Sequence, residues 1–589
     1  VQARLTRGNH DIRVFTDIQS AKVFNSFLQR SSGDYYFDSI ADFMAGNAQR
    51  LRYANAVPSL VPEDGAARFS YQSYTFGAMD TWKLSSVLNV SYGLRYDMYG
   101  GHSRAVVNPN FVARYGFANN AFLSGRGILQ PRFGFDYKPT PRLSFRGGVG
   151  IFSGGTPDVY FANSFSNTGV LTNSIDVQQL NNGTFSGVGV NATNGAAILT
   201  NVNGAVIPSA ANALLTNASV SGTSTTNAVD PNFKIPSQLR ATFSATYKAD
   251  LGALGDDWEI GGDLFYSTVR NQVYFTDLRV RPNGTFTPDG RVRYSPITTA
   301  NDTNSDIYLT NSKLGRSYVA VARLRKSFDF GLDAGVNFTY QNIKDQNPAT
   351  SSTAGSNYAA GVSLDPNGPA YGVSNDEVKY SFKYDVSFER EFFGDYKSRI
   401  ALFGETRIGR PYSFTFRDTA ARSTTFGTIG TGTRYLLYVP TGINDPLVVW
   451  DNANNAALFD AYVNSTGLSK YRGKIAPRNA FNSKWFTRID LHLSQELPTG
   501  IGNSRFTLFA DIENFTNLLN KKWGQIREYA FPYTVSPVQV TCVASGNNPC
   551  AQYRYTPNQT SGGAFTAPTD TIYARQSLYA IRVGARFSF

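Results

Sequence analysis

The sequence has little of the chemistry on which most enzymes depend. Its 589 residues include 3 His, 2 Cys and 3 Met, and it contains no HExxH, GxSxG or Walker sequence. Only His10, His102 and His492 could supply an imidazole ligand or base. Catalysis therefore has no positive support, and we predict no catalytic residue, no metal site and no cofactor.

Long apolar runs are also absent. No run approaches the roughly 18 residues that a membrane-spanning helix needs, and the mean hydropathy is −0.27. A soluble all-β enzyme would require a set of catalytic residues that the sequence does not contain. A membrane barrel fits better, because its strands mix apolar residues with polar ones that face the lumen.

Positive charge is not concentrated in a patch. The formal net charge is +12, but the Lys and Arg residues are scattered among strands and loops, so nucleic acid is not a predicted partner. Charges that line a lumen or meet anionic lipid headgroups explain the excess more simply.

What the sequence does contain is aromatic residues, glycine and two-residue periodicity. The stretch LNVSYGLRYDMYG begins at Leu88, and its apolar and polar residues alternate as in a strand with two different faces. Similar alternation elsewhere predicts charges that face a lumen: Arg95, Asp97, Arg323, Arg325, Arg488, Asp490, His492, Glu496, Asp511 and Glu513. His492 has Asp490 two residues away, and a charge ladder is favoured there over a metal or catalytic site.

The chain ends in another such strand, YAIRVGARFSF. One of its faces is apolar and the other is small or charged. The apolar face consists of Tyr579, Ile581, Val583, Ala585, Phe587 and Phe589.

Short and long connections alternate along the whole chain. The short ones lie near 7–10, 83–86, 138–142, 250–257, 328–331, 392–396 and 498–504. The long ones lie near 20–66, 101–126, 154–236, 270–314, 345–376, 411–480 and 516–573. This predicts an all-β fold, a single antiparallel transmembrane β-barrel domain over residues 1–589, with about fifteen strands and all its long loops at one end.

The long loops are rich in Gly, Asn, Ser and Thr, which favour turns and form poor packed cores, so we expect some mobile stretches. Fifteen is an odd number, whereas closed single-chain bacterial barrels have an even one. We therefore expect further N-terminal strands beyond this sequence.

Cys542 and Cys550 bracket the turn-forming segment VASGNNP in the last long loop. In an oxidising compartment we expect a local disulfide that staples the loop. A thiol metal site is the alternative, although two cysteines supply only half of a tetrahedral ligand set.

Stretches spread along the chain carry a resemblance to a known family. They include GDYYFDSIADFMAG, YTFGAMDTWKLSSVLNVSYGLRYD, LQPRFGFDYKPTPRLSFRGGVGIFSGG, RGKIAPRNAFNSKWFTRIDLHLSQELP, LFADIENFTNLLNKKWG and the final strand. In this order they resemble the barrel of a TonB-dependent outer-membrane receptor, most closely the Oar-like group.

The resemblance implies a 22-stranded barrel with a plug in its lumen, extracellular loops and a periplasmic C-terminus. It implies as partners the lipid and lipopolysaccharide of the outer membrane, the TonB energy-coupling complex and an unknown extracellular ligand. It also implies that the barrel-assembly machinery reads the last strand, with its terminal Phe589, as an assembly signal. No plug, TonB box or regulatory domain is found in this sequence, so energy coupling would depend on an N-terminal region outside it.

Two functions follow from the resemblance. The first is a transporter that binds a solute at its loops and admits it through the plugged lumen, with 154–236 and 411–480 as candidate loops for first contact. The second is a surface scaffold or secretion-related barrel that binds a protein or surface layer without moving a small solute. The aromatic segments VYFANSF and YLLYVP could form part of a binding site or could pack loop against loop.

Overall fold

The computed structural model describes residues 1–217, 224–300, 302–346, 351–418, 420–430, 432–502, 504–560, 563 and 565–589. Parts of the predicted loops 154–236, 270–314, 345–376, 411–480 and 516–573, and of the turn 498–504, lie outside these residues. An 18-stranded sheet dominates the fold. Three of its members are short strands that belong to loops, and the other fifteen form one antiparallel meander.

The meander strands are β1 (Gln2–Arg7), β2 (His10–Asn25), β3 (Ala67–Lys83), β4 (Leu88–Gly100), β5 (Gly127–Thr140), β6 (Leu143–Ser153), β7 (Ser237–Ala249), β8 (Trp258–Asp277), β9 (Arg316–Ser327), β10 (Leu332–Gln346), β11 (Tyr380–Phe393), β12 (Tyr396–Arg407), β13 (Phe486–Pro498), β14 (Arg505–Glu513) and β15 (Ala580–Ser588). Each pairs antiparallel with the next. The predicted all-β fold with about fifteen strands is therefore confirmed.

The two faces of the sheet differ sharply in chemistry. On β4, Tyr92 and Leu94 are 45% and 54% exposed, whereas Asp97 on the opposite face is 4% exposed. Register keeps the faces separate from strand to strand, since Leu94 lies opposite Ala78 on one side and Pro131 on the other. One face is thus a continuous apolar surface suited to lipid, and we call the other face the polar wall.

The seven short connections are 8–9, 84–87, 141–142, 250–257, 328–331, 394–395 and 499–504, and the seven long ones are 26–66, 101–126, 154–236, 278–315, 347–379, 408–485 and 514–579. Two strands continue further than the sequence pattern indicates. β2 runs to Asn25 because it pairs with β3 along its whole length, and β8 runs to Asp277 because its end pairs with the loop strand Asp306–Ser312.

Among the described residues, β1 pairs only with β2 and β15 only with β14. The apolar residues of β15 lie on the apolar face, where Ile581, Val583, Ala585 and Phe587 oppose residues of β14. Phe589 follows the end of the strand and is fully exposed. Within the described residues, no helix is long and apolar enough to cross a membrane.

The long connections fold together into what we call the cap. Its helices are α1 (Ile40–Ala45), α2 (Pro109–Tyr115), α3 (Asp158–Ser166), α4 (Ala192–Leu199), α5 (Ser209–Asn217), α6 (Ala354–Ala359), α7 (Ala453–Ser465), α8 (Phe515–Leu519) and α9 (Ala574–Ser577), with 3₁₀ turns at Pro62–Gly65, Gly252–Leu254 and Gly467–Tyr471. The second turn lies in a short connection and the other two lie in the cap.

Short strands complete the cap: Asp34–Tyr36, Arg50–Ala56, Thr172–Gln179, Phe185–Ser186, Thr226–Val229, Val280–Phe286, Val292–Pro296, Asp306–Ser312, Tyr371–Val373, Pro411–Arg417, Tyr438–Val439, Val448–Trp450, Lys474–Ile475, Phe481–Asn482, Arg527–Glu528, Thr534–Ser545, Asn548–Pro557 and Thr571–Ile572.

The expectation that these loops form poor cores is wrong for the described residues, because they build most of three buried hydrophobic clusters. The Gly- and Asn-rich stretch before Leu199 shows why. Asn191 and Asn194 form a capping box that starts α4, and the helix then buries Ile198 and Leu199. Turn-forming residues thus begin the helix, and a few apolar residues hold it in place.

A buried ionic network joins the second and fourth long connections. Arg279 is fully buried and donates through Nη2 to Asp306 Oδ1 at 2.6 Å, and its Nη1 lies 3.3 Å from Asp302 Oδ2. Arg114 and Tyr115 of α2 reach the same Asp306 Oδ2 at 3.0 and 2.7 Å. Burial and the Asp306 charge raise the pKa of the Tyr115 hydroxyl, which keeps it a proton donor.

A second buried pair lies within the fourth long connection and contacts the seventh. Arg291 Nη2 is 2.7 Å from Asp289 Oδ2, and Tyr553 donates to the same carboxylate at 2.8 Å. Burial acts to raise the pKa of Asp289, but Arg291 and these hydrogen bonds outweigh it, so the pKa lies below its ordinary value. The hairpin that carries Tyr553 is closed by a disulfide between Cys542 and Cys550, whose Cα atoms are 4.8 Å apart.

Asp306→Asn tests the buried network. Removing this charge leaves Arg279 underpaired in the interior, a change that costs roughly 3–5 kcal/mol in comparable buried pairs. We expect limited proteolysis of the detergent-purified variant to cleave cap loops that resist cleavage in the parent protein, while the sheet stays resistant. Asp376→Asn is the matched control, because the side chain of Asp376 is 73% exposed in its pair with Arg410 and such pairs contribute about 0–1 kcal/mol. Equal protease resistance of both variants would contradict the assignment.

Deletion of Phe589 tests the proposed assembly signal. We expect the shortened protein to accumulate without the heat-modifiable gel mobility of an assembled barrel, although Phe589 is fully exposed and its ring contacts only Phe587 among the aromatic rings of the described residues. Leu578→Ala, which truncates another exposed apolar side chain just before β15, should assemble normally. Normal assembly of the deletion would refute the signal.

Candidate functional site

The polar wall carries all ten of the charged residues predicted to face a lumen. The pairing register places them on that face, opposite the apolar surface. They fall into two groups, one on β4 and the other on β9, β13 and β14. The wall is the part of the sheet that would contact anything in the lumen.

Asp97 is the centre of the first group. Its Oδ1 lies 2.8 Å from Arg95 Nε and accepts from Thr75 Oγ1 at 2.8 Å, and its Oδ2 accepts from Gln130 Nε2 at 2.6 Å. Three neighbouring strands thus converge on one carboxylate. The sequence indicates the Arg95–Asp97 alternation but not the partners on β3 and β5.

Arg323 and Arg325 lie side by side on β9. Arg323 Nε is 3.5 Å from Asp263 Oδ2 across the strand pair. Arg325 has no ion pair within 4 Å among the described residues, and neither has Arg399 on β12. Both line a cavity of about 410 Å³ on the wall, together with acidic residues of β11, β13 and β14. This part of the wall therefore holds two guanidinium groups that make no ion pair within 4 Å among the described residues but lie beside carboxylates of the same cavity.

The β13 and β14 members of the second group form a ladder of ion pairs. Arg488 lies 2.8 Å from Asp490 and 3.2 Å from Glu513, and Arg582 of β15 reaches Glu513 at 3.2 Å. Asp490 also accepts from the backbone of Asn514 at 2.7 Å. The alternation of β15 predicts the position of Arg582, because this residue lies on the small or charged face of the strand, two residues before Gly584.

His492 pairs with a residue other than its neighbour in sequence. Its Nδ1 is 2.6 Å from Asp511 Oδ1 on β14, and its ring stacks on Phe509. Asp511 lies directly opposite His492 in the register of β13 and β14, where cross-strand side chains are close. Asp490 is instead engaged by Arg488, two positions before it on the same strand. Glu496 completes the ladder with Arg505 at 3.0 Å. Among the described residues, no group of three or more His, Cys, Asp or Glu side chains could hold a metal ion.

The two aromatic segments considered as possible binding surface lie inside the cap. Phe161 and Phe165 of VYFANSF pack in a cluster with Phe69 and Phe122. Leu437 of YLLYVP is fully buried in a different cluster. Both segments therefore pack loop against loop.

The sequence profile of the outer membrane beta barrel domain matches residues 1–523. No curated protein matches the chain. Among solved structures, the chain is similar to the outer membrane transporter YddB from Escherichia coli, with 12% identity and a TM-score of 0.45 over 100% of this chain and 53% of that one.

It is also similar to a mutant of the ferric enterobactin receptor PfeA from Pseudomonas aeruginosa, with 10% identity and a TM-score of 0.43 over 99% of this chain and 53% of that one. The siderophore receptor PirA from Acinetobacter baumannii is similar with 8% identity and a TM-score of 0.36, over 86% of this chain and 51% of that one. The chain spans about half the length of these solved structures.

The family profile covers well over half of the chain. The protein belongs to the outer membrane beta barrel domain family.

Proposed function

We propose that the chain forms the barrel of a TonB-dependent, Oar-like outer-membrane receptor that binds an extracellular solute and admits it to the periplasm. The observation that carries the proposal is the polar wall, where ion pairs and closely spaced arginine and carboxylate side chains follow β9 to β15. Such a face requires water or a polar protein surface against it, because unpaired charges in contact with lipid are costly. A plugged, solute-conducting lumen meets that requirement.

The cap supports a receptor role. Its buried networks and clusters hold the long loops in a fixed arrangement, and a preorganised surface loses less entropy when it binds a ligand. A scaffold that binds a protein partner would use the same cap without transport. The two functions differ in whether energy from TonB is needed.

Orientation is the first point to test. Asn181→Cys places a thiol in the long connection 154–236, and Asp395→Cys places one in the short connection 394–395; both positions are exposed. We expect a membrane-impermeant maleimide to label the first variant in intact cells and the second only after the outer membrane is permeabilised. The parent protein is the control, since its two cysteines form a disulfide. The reverse labelling pattern would contradict the proposal.

Energy coupling is the second point. Protein purified from outer membranes should bind the isolated periplasmic domain of TonB, with the same domain heat-denatured as the control. N-terminal sequencing and the intact mass of the captured protein then show which segment accompanies the barrel. Correctly oriented protein that never binds TonB would favour the scaffold over the transporter.

A further inference from the structure

A small sheet in the cap has two unlike faces. It is built from Asp34–Tyr36, Arg50–Ala56, Thr172–Gln179 and Phe185–Ser186, which come from the first and third long connections. One face buries Leu51, Ile175 and Val177 in the cluster that contains α4 and α5. The apolar side chains of the sheet lie on that buried face, and the opposite face is mainly polar.

That other face forms the floor of a cavity of about 710 Å³, which we call the loop cavity. This volume lies within the range of roughly 300–1,000 Å³ that is usual for small-molecule sites. The register places Arg50 opposite Gln178 and Arg52 opposite Asp176 on the floor. Arg30 projects from the first long connection at the side.

The three arginines differ in the hydrogen bonds and ion pairs that they already make within the protein. Arg50 makes a two-pronged pair with Asp176, at 2.7 Å from Oδ1 and 2.5 Å from Oδ2, and Arg30 bonds Asp34 at 2.9 Å. The Nε of Arg52 is 3.6 Å from Asp176, and the side chain makes no hydrogen bond among the described residues. Arg52 is 39% exposed as a side chain, so its guanidinium group can accept an anionic partner.

The rest of the lining is suited to hydroxyl groups. Its amide and hydroxyl side chains are Asn167, Thr172, Asn173, Ser174, Gln178, Ser186, Ser224, Thr225 and Asn304. Among the described residues that line the cavity, Tyr53 is the only aromatic one. This composition disfavours a flat aromatic or strongly apolar ligand.

The wall opposite the floor is held by the buried network. Arg279 Nη2 donates to the Ser224 carbonyl at 2.7 Å, and Arg422 Nη2 donates to the Asn304 carbonyl at 3.0 Å. Thr225 Oγ1 donates to Asn304 Oδ1 at 3.3 Å. The wall is thus ordered before a ligand arrives.

We infer that the loop cavity binds an acidic oligosaccharide, whose anionic group meets Arg52 and whose hydroxyl groups meet the amide-rich lining. Guanidinium groups bind carboxylates and sulfates with paired, charge-assisted hydrogen bonds. The inference rests on the proposed function, which places the loop cavity on the extracellular side of the membrane, since an extracellular sugar reaches the cavity only if the long loops face outwards. Binding to purified protein does not depend on TonB, so failure of either proposal is distinguishable from failure of the other.

The test is isothermal titration of the detergent-purified full protein with trigalacturonate, a sulfated trisaccharide, neutral maltotriose and triglutamate. We expect one of the two acidic sugars to bind and maltotriose to bind at least about tenfold more weakly, since a charge-assisted hydrogen bond is lost. The preferred acidic sugar identifies the anionic group as carboxylate or sulfate. Binding should weaken as salt rises.

Arg52→Gln should weaken binding of the acidic sugar by about tenfold or more. Arg417→Gln is the matched control, because Arg417 is an exposed cap arginine outside the cavity with no ion pair among the described residues. Ser174→Trp fills the floor and should abolish binding in protein that remains heat-modifiable. Absence of binding by both acidic sugars, equal binding by maltotriose, preference for triglutamate, or an unchanged affinity in Arg52→Gln would each overturn the inference.

Discussion

The structure depends on one constraint: a backbone that crosses hydrocarbon must pair its N–H and C=O groups with another strand. Each of the thirteen inner strands of the meander does so on both sides, and the alternation of side chains then separates an apolar face from the polar wall. The rest of the molecule follows from this arrangement. Ion pairs collect on the wall because that face does not meet lipid, and the connections are free to differ in length because they lie beyond the hydrogen-bonded ladders.

The cap shows what long connections can do once the sheet fixes their ends. Loops that are distant in sequence meet in the cap, so Arg279, Asp306 and Arg114 can share one buried network. Buried ion pairs add little net stability relative to apolar packing, but they are costly to break. They therefore favour a single arrangement of the loops, and that arrangement forms the walls of the loop cavity.

The wall and the loop cavity use charge differently. On the wall most carboxylates are matched by a neighbouring arginine, as Asp97 is by Arg95 and Glu496 by Arg505. In the cavity, Arg52 faces a carboxylate that Arg50 already binds. The paired charges of the wall provide a polar surface along a lumen, whereas a guanidinium group that shares its carboxylate with another arginine and lies beside amides provides a place for a specific anion.

The sequence by itself determined the all-β class, the number of strands and the two faces, because a two-residue period and alternating loop lengths are local properties that no packing partner is needed to reveal. It also placed Arg488, Asp490 and His492 on one face. Only the tertiary structure decided that His492 pairs with Asp511, that Gly- and Asn-rich loops form buried clusters, and that Arg52 lies in a cavity. Each of these depends on contacts between residues that are remote along the chain, and composition within a loop carries no information about which distant loop will cover it.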